Sequence, residues 1–520
     1  MEKGSDTVEK DSELSAAEAA ALRQRILDQE ALIEELATSL KRRSERIRQL
    51  EELLKSLRQS QYGASSEKLS PDQLGLFNEA EETVEVEEPV ETEVRSHTRR
   101  SRGRPALPKD LPREEIIYDL EDAEKQCPHD GADLEVIGQE TSEQLEIIPA
   151  TVKVLRHVRL KYACPCCEAH VVTASKPKQL LGKSIAAPGL LAYVATSKYQ
   201  DALPLYRQSA IFQRLGVELD RTTLANWMIR CGESIEPLIN RLTEHILSLP
   251  LVQMDETPVQ VLKEPGKTAE SKSFMWVLGA GPPDQRSVIF RYDASRSGSV
   301  PKDMLGDYQG ALMVDGYEGY GAVCNDSGLL RLGCWAHARR KFVAAKKIQP
   351  KGKAGRADQA LAHIQKLYAI ERHTKEMSPE ERHAYRNEHA RPILEKLSAW
   401  VEKTMPRVPP KSAMGKALHY LHQQWPRLVA YLENGAYPID NNRIENAIRP
   451  FAIGRKNWLF ANSQAGARAS ANLYSLIETA KGHGLEPYRY LRHVFTALPS
   501  AKADNAIDAL LPHNLSDGDL

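Results

Sequence analysis

The N-terminal part of the chain shows the heptad pattern of a coiled coil. Over residues 14–58, apolar side chains hold most of the first and fourth heptad positions, and no Gly or Pro interrupts the run. β-Branched residues at the first position with Leu at the fourth favour a parallel dimer. Gln29 and Arg43 break the apolar seam and are expected to fix its register. The pattern predicts self-association through this helix. A single amphipathic helix packed on the rest of the chain is the alternative.

Three differently patterned segments follow the predicted coiled coil. Residues 59–113 are polar, first acidic and then basic, and predict a linker without regular structure. Residues 114–175 alternate between apolar and polar positions, as short β-strands do. Residues 180–245 are helical in pattern, and a turn at residues 215–217 before Asp220 has helix-turn-helix spacing. An ordinary helix pair without DNA contact is the alternative for this last segment.

The next part of the chain has an α/β pattern that gives way to a helical one. Residues 250–345 contain five apolar segments separated by turn residues, with a short helix near residues 300–305. Residues 346–435 are polar, Ala-rich and helical, which predicts a helical insertion.

Beyond the insertion, residues 436–480 are expected to complete the α/β domain. Residues 440–442 supply capping side chains for a helix, and Pro450 is expected to end or kink it. Residues 481–520 form a C-terminal segment. The predicted fold class is therefore multidomain, with an α/β domain and several helical parts.

Length and composition fit a globular protein of several domains. The chain has 520 residues, of which 41% are hydrophobic and 27% charged. It lacks a run of about 18 apolar residues, so no membrane span is expected. The first residues are too polar for a secretory signal. We therefore expect a cytoplasmic protein without a membrane partner.

Charge is unevenly distributed although the net charge is only −1. Residues 71–94 contain nine acids and no Lys or Arg, and a basic stretch follows at residues 95–105. A second basic stretch, residues 443–468, has five Lys or Arg and a single acid. Such patches are compatible with a nucleic-acid partner, and an ordinary solvated surface is the alternative. Arg102 and Arg104 could enter a narrow minor groove, unless they belong to a plain basic linker.

Two aspartates interrupt apolar strands of the predicted α/β domain. Asp255 lies in VQMDET and Asp315 in ALMVDGY. A carboxylate so placed costs free energy unless it is paired or bound to a metal ion. Hard divalent cations prefer oxygen ligands, and phosphodiester transfer uses two such ions held by converging carboxylates. The two strands predict an RNase H-like arrangement, with strand-end aspartates of no catalytic role as the alternative.

The third carboxylate is expected on a helix further along the chain. Glu445 is the candidate, because it is the only acid in the second basic stretch. Asp293, Asp303 and Asp307 are rivals of Asp315 as the second ligand, but their flanks indicate turns or helix instead of a buried strand.

Seven cysteines argue against a disulfide framework, because the number is odd and no secretory signal precedes them. Cys127, Cys164 and Cys167 have part of the spacing of a zinc ribbon, but Asp130 stands where a fourth cysteine is expected. His129 or Asp130 would complete a tetrahedral zinc site. Buried thiols without metal are the alternative.

A Cys-x-x-His pair lies further along the chain, at Cys334 and His337. It indicates either a structural or metal-linked element near the active site or a buried thiol with a satisfied histidine.

Several longer motifs resemble the transposases of the insertion sequence 66 family, the larger protein of those bacterial elements. They include MDETPVQVL, VDGYEGYGAV, CWAHARRKF and IDNNRIENAIRPFAIGRKNW, and together the matching motifs span about residues 60–495. The resemblance implies a DDE catalytic domain, with its carboxylates at Asp255, Asp315 and Glu445 and with two Mg²⁺ or Mn²⁺ ions. It also implies a zinc-finger-like domain over residues 127–167, in which Asp130 departs from the simplest four-cysteine form.

The same resemblance implies a mechanism and its partners. Water would free a 3′-OH at each element end, and that 3′-OH would attack target DNA without a covalent protein–DNA intermediate. The expected partners are terminal inverted repeats, target DNA, further copies of the chain in a dimer or larger synaptic assembly, and small companion proteins of the element. A bacterial, nucleoid-associated location follows. The side chains expected on DNA phosphates are Arg443, Arg449, Arg455 and Lys456.

Two other functions fit part of the sequence. One is an RNase H-like nuclease that cuts DNA without joining it, and the other is a catalytically silent DNA-binding repressor. The presence of all three carboxylates speaks against the repressor.

Overall fold

The computed structural model describes residues 16–62, 112–119, 125, 132, 138–145, 147, 150–163, 171–348 and 355–520. The chain forms two compact units, one of residues 1–82 with 156–520 and one of residues 83–155. The predicted minor-groove arginines and zinc ligands lie outside the described residues: Arg102, Arg104, Cys127, His129, Asp130, Cys164 and Cys167.

Helix α1, Ala16–Tyr62, covers most of the predicted coiled-coil segment and continues beyond residue 58. Its heptad side chains Ile26, Ile33 and Leu40 are 50%, 65% and 63% exposed. A long apolar stripe exposed to water needs a partner surface. The helix is confirmed, and its pairing into a coiled coil stays a prediction.

One antiparallel strand pair represents the predicted β segment among the described residues. Strand β1, Lys161–Ala163, pairs with β2, Val171–Thr173, and Tyr162 lies opposite Val172. The described residues 151–160 alternate in hydrophobicity, yet they form no strand. Alternation favours an extended chain, but a strand also requires a hydrogen-bonded neighbour.

Four helices lie between β2 and the main sheet. The predicted pair consists of Leu205–Arg214 and Arg221–Ser234, and Gly216, at φ 80°, lies in the turn between these two helices. Asp220 then caps the third, accepting hydrogen bonds from the backbone N–H groups of Thr222 and Thr223 at 2.7 and 3.1 Å. The contact of this pair with DNA stays a prediction. The helices are α2 Pro188–Tyr199, α3 Leu205–Arg214, α4 Arg221–Ser234 and α5 Glu236–Leu247.

The five predicted strands form one mixed sheet. The strands are β3 Leu251–Lys263, β4 Lys272–Ala280, β5 Ser287–Asp293, β6 Ala311–Val314 and β7 Leu330–Gly333. Their order is β5-β4-β3-β6-β7, with antiparallel pairing from β5 to β3 and parallel pairing from β3 to β7. A short strand β8, Ala461–Ser463, pairs with the far end of β3. Helix α6, Ser299–Leu305, matches the predicted short helix, and α7, Gly319–Ser327, connects β6 to β7.

Helix α13, Asn442–Trp458, packs against β3 and β4. Gly279 on β4 allows this approach, because a Cβ there would lie 2.6 Å from Ile444 Cδ1. The Asp440 carboxylate accepts from the N–H of Asn442, the first residue of the helix, at 3.1 Å. Pro450 lies inside α13 and does not end it. The ring removes one backbone donor, and the buried apolar face of the helix continues past it to Phe451.

Helix α14, Gln464–Gly482, covers the edge strand β5. The hydroxyls of Thr479 and Ser475 accept from the backbone N–H groups of Val288 and Phe290 at 2.9 and 2.8 Å. These side chains therefore satisfy backbone donors that an edge strand would otherwise expose. The chain ends with α15, Pro487–Ala497, and α16, Asp504–Asp508.

A second apolar core joins α8 to the helices of the predicted insertion and includes Trp335, Leu397 and Leu418. Trp335 Nε1 donates to the carbonyl of Leu428 at 2.8 Å and so attaches α8 to α12. The helices are α8 Trp335–Ile348, α9 Arg356–His373, α10 Pro379–His389, α11 Arg391–Thr404 and α12 Ala413–Val429. Throughout the described ranges, no helix has both the length and the apolar character that crossing a membrane requires.

Replacing Gly279 by Ala should destabilise the protein by about 1–3 kcal/mol, because the added methyl group overpacks the contact between β4 and α13. Besides Ile444, the new Cβ would meet the carbonyl oxygen of Ser287 at 2.9 Å. Thermal unfolding of the full chain measures the effect. Gly182→Ala is the matched control, because nothing lies within 4 Å of a Cβ at Gly182. Equal unfolding temperatures for the two variants would contradict the close packing of α13 on β4.

Candidate active site

Asp255 lies within β3, opposite Val277 of β4. The backbone N–H of Glu256 donates to its Oδ1 at 2.9 Å. Burial raises the pKa of Asp255 well above its usual value, and the charges of Glu445, Glu256 and Asp315 raise it further. The prediction of a carboxylate inside a buried strand is confirmed at this position.

Asp315 directly follows β6, as the sequence pattern predicts. Its Oδ1 accepts the backbone N–H of Tyr317 at 2.8 Å. Arg331 on β7 donates through Nη2 to the carbonyls of Asp315 and Tyr317, at 2.8 and 3.0 Å. The turn that carries the second aspartate is therefore attached to the neighbouring parallel strand.

Glu445 lies in the first turn of α13, and its side chain is buried. Arg340 of α8 donates to Glu445 Oε2. Glu445 Oε1 lies 3.5 Å from His337 Nδ1, and neither atom has a hydrogen-bond partner among the described residues. Burial raises the pKa of Glu445, and Arg340 partly offsets this effect.

The three carboxylates belong to one electrostatic neighbourhood. The negative charges of Glu445 and Asp315 raise the pKa of Asp255, and the charge of Asp315 raises the pKa of Glu445. Among the described residues, the group of metal-binding side chains whose donor atoms all lie within 4.8 Å of one another is Cys334, His337 and Glu445. Glu445 therefore lies next to the Cys-x-x-His pair.

Buried amide hydrogen bonds connect the helix of Glu445 with the strand of Asp255. Asn441 Nδ2 donates to the carbonyl of Met254 at 2.8 Å, and Gln253 Nε2 donates to Asn441 Oδ1 at 3.1 Å. The backbone N–H of Asn441 donates to Cys334 Sγ at 3.2 Å. Cys334 is therefore a buried thiol that accepts a hydrogen bond, and burial raises its pKa well above the usual value.

The histidine of this pair has a different environment from the cysteine. Arg340 Nη1 lies 3.2 Å from His337 Nε2. Because an arginine can only donate, this contact makes Nε2 the acceptor and leaves the proton on Nδ1. Burial and the charge of Arg340 lower the pKa of His337 to about 4, so the imidazole is neutral at pH 7.

The sequence patterns missed an ion pair beside the aspartates. The Arg296 guanidinium lies 2.5 Å from Oε1 of the buried Glu256, whose Oε2 accepts the Tyr320 hydroxyl at 2.7 Å. Glu256 directly follows Asp255, and Tyr320 belongs to the same VDGYEGYGAV motif as Asp315. Their closeness in sequence to the predicted aspartates is the signal that could have identified them. Arg296 lies in a loop whose sequence has no such signal.

The rival aspartates have other positions. Asp293 ends β5, and its Oδ1 accepts the backbone N–H of Ser295 at 2.7 Å. Asp303 and Asp307 are exposed, on α6 and in the turn after it. These positions favour Asp315 as the second carboxylate of the site.

The four basic residues predicted to contact DNA differ in their surroundings. Arg443 donates to the carbonyl of Gly281 at 3.4 Å, and burial lowers its pKa. Arg455 donates to Thr257 Oγ1 at 3.3 Å and to the carbonyl of Pro258 on β3. Arg449 is partly buried and Lys456 is exposed.

Comparison with known families places the whole site within one match. Residues 183–469 match the family described as "Transposase IS66 family". Residues 124–168 match the "zinc-finger binding domain of transposase IS66", residues 49–116 match "Transposase C of IS166 homeodomain", and residues 475–513 match the "IS66 C-terminal element".

Curated relatives come from Sinorhizobium fredii (strain NBRC 101917 / NGR234). Uncharacterized protein y4jD is 35% identical over 423 residues, which cover 78% of this chain and 81% of that protein. Uncharacterized protein y4qI is 32% identical over 523 residues, which cover 96% of this chain and 95% of that protein. The chain therefore belongs to the IS66 family of transposases.

Proposed function

We propose that this transposase cleaves DNA at the ends of an insertion sequence and joins each freed 3′-OH to target DNA by a DDE mechanism. Asp255, Asp315 and Glu445 are the proposed ligands of two divalent metal ions, Mg²⁺ or Mn²⁺. The observation that carries the proposal is the electrostatic proximity of these three acidic side chains: burial raises the pKa of Asp255, and the charges of Glu445, Glu256 and Asp315 raise it further.

The donor atoms of the site fit a hard divalent cation. All three side chains offer carboxylate oxygens, the ligands that Mg²⁺ prefers. Glu445 Oε1 is buried without a hydrogen-bond partner among the described residues, so it has an unused acceptor. Buried like charges are costly unless cations balance them, and Arg340 pairs with Glu445.

Two bound metal ions would supply an activated water or 3′-OH and a stabilised leaving oxygen. The chain's own residues would orient these ligands. Arg331 holds the turn of Asp315, Arg340 holds one oxygen of Glu445, and Asn441 fixes the start of α13 against β3. No side-chain nucleophile is required, since the attacking group belongs to water or DNA.

The strand order supports an RNase H-like catalytic domain. Three antiparallel strands followed by two parallel ones carry Asp255 on the central β3 and Asp315 at the end of its parallel neighbour β6. The proposed domain covers residues 250–345 and 436–480, with residues 346–435 as its helical insertion.

The remaining parts of the chain suit the handling of DNA ends. The family match over residues 124–168 supports a structural zinc ion at Cys127, Cys164 and Cys167 with His129 or Asp130. The exposed heptad stripe of α1 supports a dimer or larger assembly that brings two element ends together. Companion proteins of the element are proposed further partners.

Asp255→Asn should abolish both cleavage and strand transfer on terminal-repeat DNA with Mg²⁺, because it removes a charged metal ligand and keeps the side chain's shape. Separation of the DNA products on a denaturing gel measures both steps. The matched control is Asp303→Asn, which changes an exposed aspartate on α6 and should keep full activity. If strand transfer persists in Asp255→Asn, Asp255 is not a required metal ligand. Cut but unjoined ends from the unaltered chain would instead identify a nuclease.

Lys456→Ala should weaken DNA binding to a similar extent for all sequences, because a phosphate contact carries no sequence information. The plot of log affinity against log salt concentration should flatten by about 0.9 per lost contact. Fluorescence anisotropy over a salt series measures this slope. An unchanged slope for Lys456→Ala would remove this residue from the proposed DNA surface.

A further inference from the structure

A buried ion pair next to the aspartates fixes an arginine that remains partly exposed. The Glu256 side chain is 2% exposed, whereas that of Arg296 is 46% exposed. Nε and Nη2 of Arg296 lie 2.7 and 2.5 Å from Glu256 Oε1. The carboxylate is itself held by Tyr320, so one edge of the guanidinium has a rigid anchor.

The face of the same guanidinium rests on an aromatic ring beside Asp315. Arg296 Cζ lies 4.1 Å from the centroid of the Tyr317 ring, and the Tyr317 hydroxyl donates to the Arg296 carbonyl. Trp276 Nε1 donates to the carbonyl of Ser295 at 3.1 Å and so also holds the loop. Stacking and hydrogen bonds thus restrict the rotamers of a side chain that would otherwise lose entropy on binding a ligand.

The remaining edge of Arg296 has donors to offer. Its Nη1 makes no hydrogen bond or ion pair with any residue that the structure describes. Planar guanidinium groups with a free edge suit phosphate oxygens. The sequence-predicted Arg443 and Arg455 differ in this respect, because both donate to backbone carbonyls of the sheet region.

The carboxylates near Arg296 would repel a phosphate unless a cation offset them. The charges of Glu256 and Asp315 act on Arg296, and those of Glu445, Glu256 and Asp315 act on Asp255. A DNA backbone that approaches these carboxylates is itself negatively charged, and cationic contacts supply most of its non-specific affinity. An anchored arginine at the rim offsets this repulsion without moving.

We infer that Arg296 binds a backbone phosphate of DNA close to the scissile one. Glu256 and Tyr317 are positioning residues that hold its guanidinium in place. The inference rests on the proposed function for the location of the scissile phosphate at Asp255 and Asp315.

The test measures binding of terminal-repeat DNA to the full chain without divalent metal. A series of duplexes carries one neutral methylphosphonate at each phosphate near the cleavage position. With the unaltered chain, neutralising the contacted phosphate weakens binding. In Arg296→Ala that penalty disappears at one phosphate, the other penalties remain, and the salt slope flattens by about 0.9.

Three further variants separate charge, positioning and folding. Arg296→Gln keeps a donor for Glu256 and should lose the same single penalty, which preserves the test if the alanine variant does not fold. Glu256→Gln should reduce the penalty although Arg296 is present. Arg492→Ala on α15, an exposed arginine with the same charge change, should keep every penalty.

A complete set of phosphate penalties together with an unchanged salt slope in both Arg296→Ala and Arg296→Gln would overturn the inference. These measurements need no catalysis. Strand transfer that persists in Asp255→Asn would therefore defeat the proposed function while leaving an observed Arg296 contact in place.

Discussion

The candidate site depends on the hydrogen bonds of Asn441, whose side-chain amide is fully buried. It hydrogen-bonds to Gln253 and Met254 of β3, and its backbone N–H donates to Cys334 at the end of β7. The helical insertion separates Cys334 from Asn441 in the chain, so connectivity alone cannot place α13 on the sheet. Buried polar groups must find partners, and Asn441 finds them when α13 packs on β3. That arrangement brings Glu445 to the strand of Asp255.

Electrostatics explain why the site contains arginines as well as carboxylates. Asp255, Glu256 and Glu445 all have pKa values raised by burial, and each additional negative charge adds to the cost. Arg296 and Arg340 each pair with one of these groups and leave Asp255 without a cationic partner among the described residues. Glu256 and Glu445 are thus paired with arginines while Asp255 is not, and such an arrangement suits the binding of metal ions. It also suits a phosphate whose charge the same arginines offset.

Much of the α/β region could be predicted from apolar patterning. The five strands and the short helix α6 follow from apolar segments separated by turn residues. The choice of Asp255 and Asp315 follows from charges that interrupt apolar strands, since such interruptions are costly without a function. Glu445 could not be found in this way, because an acid in a helical turn is ordinary in sequence. Its choice depended on the surrounding basic residues and on the family motif.

Other features depend on tertiary contacts that no local pattern records. The continuation of α13 through Pro450 depends on packing against the sheet, which compensates for one lost backbone donor. The Arg296 loop joins residues that are distant in sequence, Glu256 and Tyr317, so no spacing rule points to it. Arg443 and Arg455 stood out as basic residues, yet their hydrogen bonds to the protein become visible only in the fold.

Joint binding of divalent metal by Asp255, Asp315 and Glu445 can be observed in crystals of the full chain with terminal-repeat DNA and Mn²⁺. Mn²⁺ scatters anomalously and takes the same oxygen ligands as Mg²⁺. We expect two anomalous peaks, each within coordination distance of Asp255 and one other of these carboxylates. Crystals with DNA bound at the site and no anomalous peak next to Asp255 would contradict joint binding.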